Sequence, residues 1–348
     1  MSTPPVQDFD ADPLADYLRG HVEGLKAPLR VERFSGGQSN PTYLLTDARG
    51  QRYVLRKKPP GALLPSAHAV DREYRVMKAL AATDVPVAQM VCYCDEPQVI
   101  GTPFYVMEFV QGRIFWDPAL PELAPAERSA LYDEMNRVVA ALHRVDPQAV
   151  GLGDYGRPGN FFARQIKRWT GQYQASATEP LPAMDALIDW LPAHIPADDR
   201  TALFHGDLRL DNMIFHPSEP RLLAVLDWEL STLGHPLADL AYHALPWRLT
   251  AAQFRGMAQH DPLPAGLPSE REYLRRYAQR TGQAIDPADY GFCVAYSMFR
   301  LAAILQGIWK RSLDGTAASA QARETGAKAR GIAEAAWQQV QTRSPQVR

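Results

Sequence analysis

A chain of 348 residues has room for two domains or one two-lobed unit, and an apolar share of 46% is enough to fill a real core. With 37 Lys and Arg against 39 Asp and Glu the net charge is −2, which excludes a global field that would draw the chain to nucleic acid or to a membrane surface. Three cysteines, a lone C-x-C at Cys92 and Cys94 and a distant Cys293, exclude a disulfide framework and a spaced zinc site, and read as free thiols of a reducing compartment.

The N-terminus, MSTPPVQDFDADPL, has neither the basic start nor the apolar run of a signal peptide, so a cytoplasmic chain is expected. Residues 1–28 read as an arm with one helix over 13–22. Alternation then predicts strands at 29–34, 42–45 and 53–57, with a turn at 47–50, as an antiparallel meander. Val70, Tyr74, Met77 and Leu80 recur at helical spacing and predict a helix over 66–82. Strands follow near 87–94 and 104–109. The first lobe is therefore expected over 29–111, with a seam near Gln111 and Gly112.

Beyond the seam, residues 112–348 read as mainly helical. Pro125 opens a helix with Leu131, Met135, Val138 and Leu142 on one face. A second helix is predicted over 160–174. Short apolar pieces at 202–204, 213–215 and 222–226 follow, and the last two flank the turn signal Pro217 to Pro220 and predict a hairpin. Helices return over 237–247, 269–279, 289–310 and 317–341. The apolar run from Phe292 to Leu305 is broken by Arg300 and falls short of the roughly 20 residues a bilayer crossing takes, so no membrane association is expected. Sheet first and helices second indicate an α+β arrangement in two lobes.

The chemistry concentrates in residues 203–212, LFHGDLRLDN, and residues 225–229, VLDWE. Asp207 and Asn212 lie five apart in a polar loop, and Asp227 ends the next strand, which the hairpin would return beside them. Carboxylate and amide oxygens of this kind suit a hard cation such as Mg2+, with phosphate supplying the remaining ligands. One carboxylate can stay off the metal and orient a hydroxyl, the division of labour found in kinases. In the first lobe, residues 34–40 read FSGGQSN between two strands. The backbone at Gly36, Gly37 and Ser39 could cradle phosphates, and the run also reads as a plain hairpin loop.

These segments resemble the aminoglycoside phosphotransferase and choline kinase family, relatives of protein kinases. HGDLRLDN matches that family's catalytic loop, and Asp227-Trp228-Glu229 stands where protein kinases carry D-F-G. The resemblance implies a protein-kinase-like two-lobed fold that uses ATP and Mg2+. It makes Asp207 the catalytic base and Asn212 and Asp227 the metal ligands. Arg209 stands where protein kinases often carry a Lys that touches the transferring phosphoryl, and where many antibiotic kinases carry His. Val54 would roof the adenine and Arg56 would hold the phosphate-binding position, with Lys57 the second choice and Glu73 the partner of this cation. Met107 would be the gatekeeper, and Glu108 and Val110 would offer backbone groups to adenine. Asp239 would brace the catalytic loop, or serve as an ordinary first-turn carboxylate. His143 reads as a core histidine. The likeness is nearer still to kinase-like domains associated with acyl-CoA dehydrogenases, carried by residues 53–61, 100–108, 111–115 and 226–236, and implies a functional link to such an enzyme.

The acceptor would be a small hydroxylated molecule. From residue 241 onward there are 14 Lys and Arg against 8 Asp and Glu, including Arg248, Arg275, Arg276, Arg300, Lys310 and Arg311. This balance predicts an anionic acceptor, a hydroxyacyl-CoA on the resemblance, rather than a polycationic aminoglycoside. Solvated helix faces explain the same bases equally well. Tyr242, Trp247, Tyr296 and Trp309 could instead cage an amino alcohol, and a non-catalytic nucleotide-binding partner is a further alternative. Only eleven residues separate Asp227 from Asp239, too few for the extended activation segment of a protein kinase.

Overall fold

The structure, a computed structural model, describes residues 8–34, 40–59, 68–316 and 321–343. In chain order its elements are α1 (Ala11–Arg19), β1 (Arg30–Arg33), β2 (Thr42–Thr46), β3 (Arg52–Lys57), α2 (Val70–Leu80), β4 (Met90–Cys94), α3 (Pro97–Ile100), β5 (Phe104–Glu108), α4 (Pro125–Arg144), α5 (Phe161–Ser176), α6 (Pro182–Ala193), β6 (Ala202–Phe204), β7 (Met213–Phe215), β8 (Leu222–Val225), β9 (Thr232–Gly234), α7 (Pro236–His243), α8 (Ala251–Phe254), α9 (Glu270–Thr281), α10 (Pro287–Leu313), α11 (Ala322–Ala327) and α12 (Ala329–Arg343). The chain divides into two compact units: residues up to 113 with 214–217 and 223–229, and residues 114–213, 218–222 and 230–348.

The first unit is built on an antiparallel sheet in the order β1-β2-β3-β5-β4. Its two faces follow from strand alternation. Leu55, Tyr43, Phe104 and Val106 face α1 and bury against Leu14 and Leu18. At about 1.5–3 kcal/mol per buried large apolar side chain, this cluster is the main stabilising layer of the unit. Val54 and Arg56 point the other way. Val54 pairs with Met107 and Arg56 with Tyr105 across β3 and β5. The β7–β8 hairpin joins the same unit, and Val225 N–H donates to Pro86 O at 2.9 Å. Gly112 makes that junction possible, because a Cβ there would lie 2.2 Å from Phe215 O. Beside it, Arg113 and Phe215 exchange backbone hydrogen bonds of 2.7 and 2.9 Å.

The second unit is helical. Its centre is α10, which packs against α5, α7, α11 and α12, while α4 packs against α9 and β6. β6 pairs antiparallel with β9. Among the described residues α10 is long and apolar enough to cross a membrane by length and composition, and 83% of its apolar window is buried inside the protein.

Several predicted boundaries move for identifiable reasons. The helix expected over 237–247 ends as α7 at His243, and a separate 3₁₀ turn follows over Leu245–Trp247. Pro246 has no N–H to continue the helical ladder. The helix expected over 317–341 breaks into α11 and α12, and residues 317–320 lie outside the described residues. α6 and the three-residue β9 were not anticipated. β9 exists only through its pairing with β6, a contact no local pattern encodes.

Candidate active site

In the first unit, α2 supplies Glu73, whose side chain is almost fully buried against the inner sheet face. Arg56 Nε lies 3.0 Å from Glu73 Oε2, and its Nη2 lies 2.9 Å from Asp227 Oδ1 and 3.2 Å from Glu229 Oε2. Burial disfavours the Arg56 charge, but the surrounding carboxylates outweigh it and raise its pKa above the ordinary arginine value. Burial also pushes the Glu73 carboxyl above its usual range; Arg56 and hydrogen bonds from Tyr105 and Asn40 counteract this only in part. Lys57 points to the opposite face, where its Nζ sits 2.9 Å from Asp8. Alternation therefore gives the Glu73 partner to Arg56 and not to Lys57. Asp227 adopts φ +64°, a left-handed conformation that Asp tolerates better than most residues and that recurs at functional sites.

At the edge of the same sheet, Val54 is buried and Met107, Glu108 and Val110 are half-buried. Glu108 N–H is committed to Gln89 O at 2.9 Å. Val110 lies past the end of β5, and its N–H makes no hydrogen bond among the described residues. Gly36, Gly37 and Ser39 lie outside the described residues.

In the second unit, β6 delivers the chain into His205-Gly206-Asp207. Gly206 sits at φ +88° with Leu230 O close by, so only glycine makes this turn without strain. Asp239, in the first turn of α7 and fully buried, accepts from His205 N–H at 2.6 Å and from Gly206 N–H at 3.0 Å. It is both a first-turn carboxylate and a brace for the loop backbone. His143, in the core of α4, approaches it at 3.4 Å and meets the Tyr277 hydroxyl at 2.8 Å.

Asp207 is gripped from three sides. Tyr242 Oη donates to Oδ1 at 2.7 Å, Asn212 Nδ2 donates to Oδ2 at 2.9 Å, and Arg209 reaches both oxygens at 3.0 and 3.1 Å. Burial would raise its pKa. The Arg209 charge, the Tyr242 hydrogen bond and the more distant Arg300 charge outweigh burial, and the carboxyl stays below the usual carboxylate range. Tyr242 is the member of this set that sequence reasoning misplaced. Its position three residues after Asp239 on a helix was the available signal, since i and i+3 share a face. A cleft beside the loop is lined by Arg209, Asp211, Tyr242, Trp247, Phe254 and Arg255.

Two readings left open by the sequence meet the packing here. The four aromatics that could cage an amino alcohol pack separately. Trp247 packs on Tyr132 and Tyr273, Tyr242 serves Asp207, Tyr296 meets Phe161 and Phe162, and the Trp309 ring lies 6.0 Å from the Arg323 guanidinium. Nor do the C-terminal bases form one anion field. Arg248 pairs with Glu270, Arg276 and Arg280 with Asp133, and Lys310 with Asp314. Arg300 lies buried on α10 without a carboxylate partner, its guanidinium over the Trp169 ring.

Comparison with known proteins follows this geometry. Residues 30–273 match the phosphotransferase enzyme family. Acyl-CoA dehydrogenase family member 10 of Mus musculus is 49% identical over 333 residues, covering 94% of this chain but 31% of its own length. The chain thus spans about a third of that relative. The crystal structure of a candidate aminoglycoside phosphotransferase from Ralstonia eutropha JMP134 is 56% identical, with a TM-score of 0.87 over 96% of this chain and 99% of the other. Spectinomycin phosphotransferase, solved with ADP and spectinomycin, shares the fold at 11% identity, with a TM-score of 0.64 over 96% of this chain and 100% of its own. By its sequence match and its α+β kinase-like fold, the chain belongs to the phosphotransferase enzyme family.

Proposed function

We propose that the chain transfers the γ-phosphoryl group of ATP, with Mg2+, to the hydroxyl of a small molecule, and that a hydroxyacyl-CoA is the first acceptor to test. The observation that carries this reading is Asp207, held ionised by Arg209 and Tyr242 in a loop whose backbone is braced by Asp239. A carboxylate with a depressed pKa is too weak a base to deprotonate an alcohol early. It orients the hydroxyl and takes its proton late, as phosphoryl transfer through a loose transition state requires.

The donor chemistry suits a hard cation. Asn212 commits its amide N–H to Asp207, which leaves Oδ1 as an oxygen donor. Asp227 gives Oδ1 to Arg56 and retains its second oxygen. Mg2+ held by these two residues would neutralise charge on phosphate oxygens. Arg56, with Nε turned to Glu73 and Nη2 to Asp227 and Glu229, would offer its Nη1 edge to a phosphate oxygen. Arg209 offsets charge that develops beside Asp207.

The choice of a coenzyme thioester draws on the curated relatives, whose names are those of acyl-CoA dehydrogenases, and implies a functional link to such an enzyme. ATP consumption measured over hydroxyacyl-CoAs, aminoglycosides and amino alcohols tests the acceptor. Turnover confined to an aminoglycoside or an amino alcohol would replace the thioester reading. Asp207→Asn tests the chemistry: kcat is expected to fall at least ~10²-fold with ATP affinity retained. Near-normal turnover by that variant would remove Asp207 as the base.

A further inference from the structure

Arg300 stands in the middle of α10, a core helix, with 4% of its surface exposed. Its guanidinium lies over two aromatic rings, 5.3 Å from the Trp169 centroid and 5.2 Å from that of Tyr242. Among the described residues no carboxylate, carbonyl or hydroxyl accepts a hydrogen bond from it. This is unusual, because a buried arginine presents five donors and almost always meets an anion or a set of carbonyls. The stacked rings supply attraction to the charge, and none of its nitrogens is among the buried side-chain atoms left without a partner, so the little surface Arg300 exposes includes its N–H groups.

Several other bases of this unit are paired. Arg248, Arg276, Arg280 and Lys310 each have a carboxylate partner despite greater exposure. Arg300, far more buried, has none. One helical turn earlier, the buried Tyr296 hydroxyl also lacks a hydrogen-bond partner, and the Trp169 indole beside it donates to Gln165 instead. Arg300 adjoins the proposed base, since Tyr242, on whose ring its guanidinium lies, donates its hydroxyl to Asp207.

We propose that Arg300 is the anion-recognition residue of the acceptor site, taking a carboxylate or phosphate group of the hydroxylated substrate while Asp207 receives its hydroxyl. The assignment rests on the phosphotransferase reading above and narrows it. Specificity for an anionic acceptor comes from this one buried fork rather than from the paired bases of the surface. The fork would satisfy both oxygens of a carboxylate or phosphate at once, a geometry an ammonium cannot reproduce.

Calorimetry on the full chain with Mg2+ and a non-hydrolysable ATP analogue tests this, using inorganic phosphate, coenzyme A, 3-hydroxybutyrate and the neutral 1,3-butanediol as probes. At least one anion is expected to bind, and 1,3-butanediol to bind at least ~10-fold more weakly than 3-hydroxybutyrate. Binding of phosphate or coenzyme A identifies a phosphate group, and binding of 3-hydroxybutyrate a carboxylate. Arg300→Gln should weaken the anion ~10- to 100-fold, the range for loss of a charge-assisted hydrogen-bonding partner, with nucleotide affinity unchanged. Arg300→Lys keeps the charge and should fall between the two, which preserves the test if the Gln variant does not fold. The proposal is overturned if no anion binds the wild-type protein, if the diol binds as well as the hydroxy acid, or if a folded variant binds the anion as tightly as wild type. Failure of the phosphotransferase reading looks different: Arg300-dependent anion binding persists, but no acceptor elicits ATP consumption.

Discussion

At the scale of single residues, the site is organised by which carboxylates are kept ionised and by what. Asp207 owes its depressed pKa to Arg209, then Tyr242, acting against burial. Its charge should therefore persist as pH falls into the usual carboxylate range, with the acid limb of kcat/KM below the unperturbed value of ~3.9. Tyr242→Phe deletes a hydrogen bond that favours the charged form, so the acid limb should move to higher pH. A pH profile of kcat/KM checks this, and superimposable wild-type and Tyr242→Phe profiles would leave Tyr242 a packing residue. The same depressed pKa bears on stability. Asp207 contributes stability that is present above its unfolded pKa and is lost as pH falls through its lower folded value.

At the scale of elements, strand alternation and a helix register decide which cation of the first unit meets Glu73. β3 presents Arg56 to Glu73 of α2 and turns Lys57 toward Asp8 on the other face. Arg56 is surrounded by Glu73, Asp227 and Glu229, so Arg56→Met would leave a nearly buried carboxyl without its cation. A cost of about 3–5 kcal/mol is the usual consequence of breaking such a pair. Glu73 already has a raised pKa, and losing Arg56 raises it further. A group whose folded pKa exceeds its unfolded one stabilises most when protonated, and that contribution is lost as pH rises. The Tm deficit of Arg56→Met relative to wild type should therefore shrink between pH 7 and pH 5. A deficit that is constant or grows on acidification would show that Glu73 does not carry the effect.

At the scale of the whole molecule, a net charge of −2 provides little long-range steering, so recognition must be local. Nucleotide binding should then appear as simple linkage. Mg-ATP at 100-fold excess over Kd should stabilise the native state by ~2.7 kcal/mol. Asp227→Ala removes the proposed hard oxygen ligand and should abolish the Mg2+-dependent part of that shift. A variant with an unchanged Mg-ATP shift in thermal unfolding would show that Asp227 is not a metal ligand.

Much of this was legible in the sequence because it is encoded locally. Alternation in residues 53–57 separated Arg56 from Lys57, and the spacing of Val70, Tyr74, Met77 and Leu80 set the helix that carries Glu73. The run from His205 to Asn212 announced itself because a glycine turn, an acid and an amide must stand close in the chain to share one loop. What tertiary structure alone decided involves partners far apart in sequence. The C-terminal bases looked like a field when counted along the chain. Folding neutralises four of them with Asp133, Glu270 and Asp314, because a long flexible cation takes whichever carboxylate packing brings near. Tyr242 became a partner of Asp207, and Asp239 a brace for His205 and Gly206, only when α7 was laid against the loop. Arg300 interrupts an apolar run and counts among those bases in sequence; the central place of α10 in its unit decides that it is buried. Sequence spacing sets which residues share a face; only packing sets what that face meets, and the energy of a charge depends on the second.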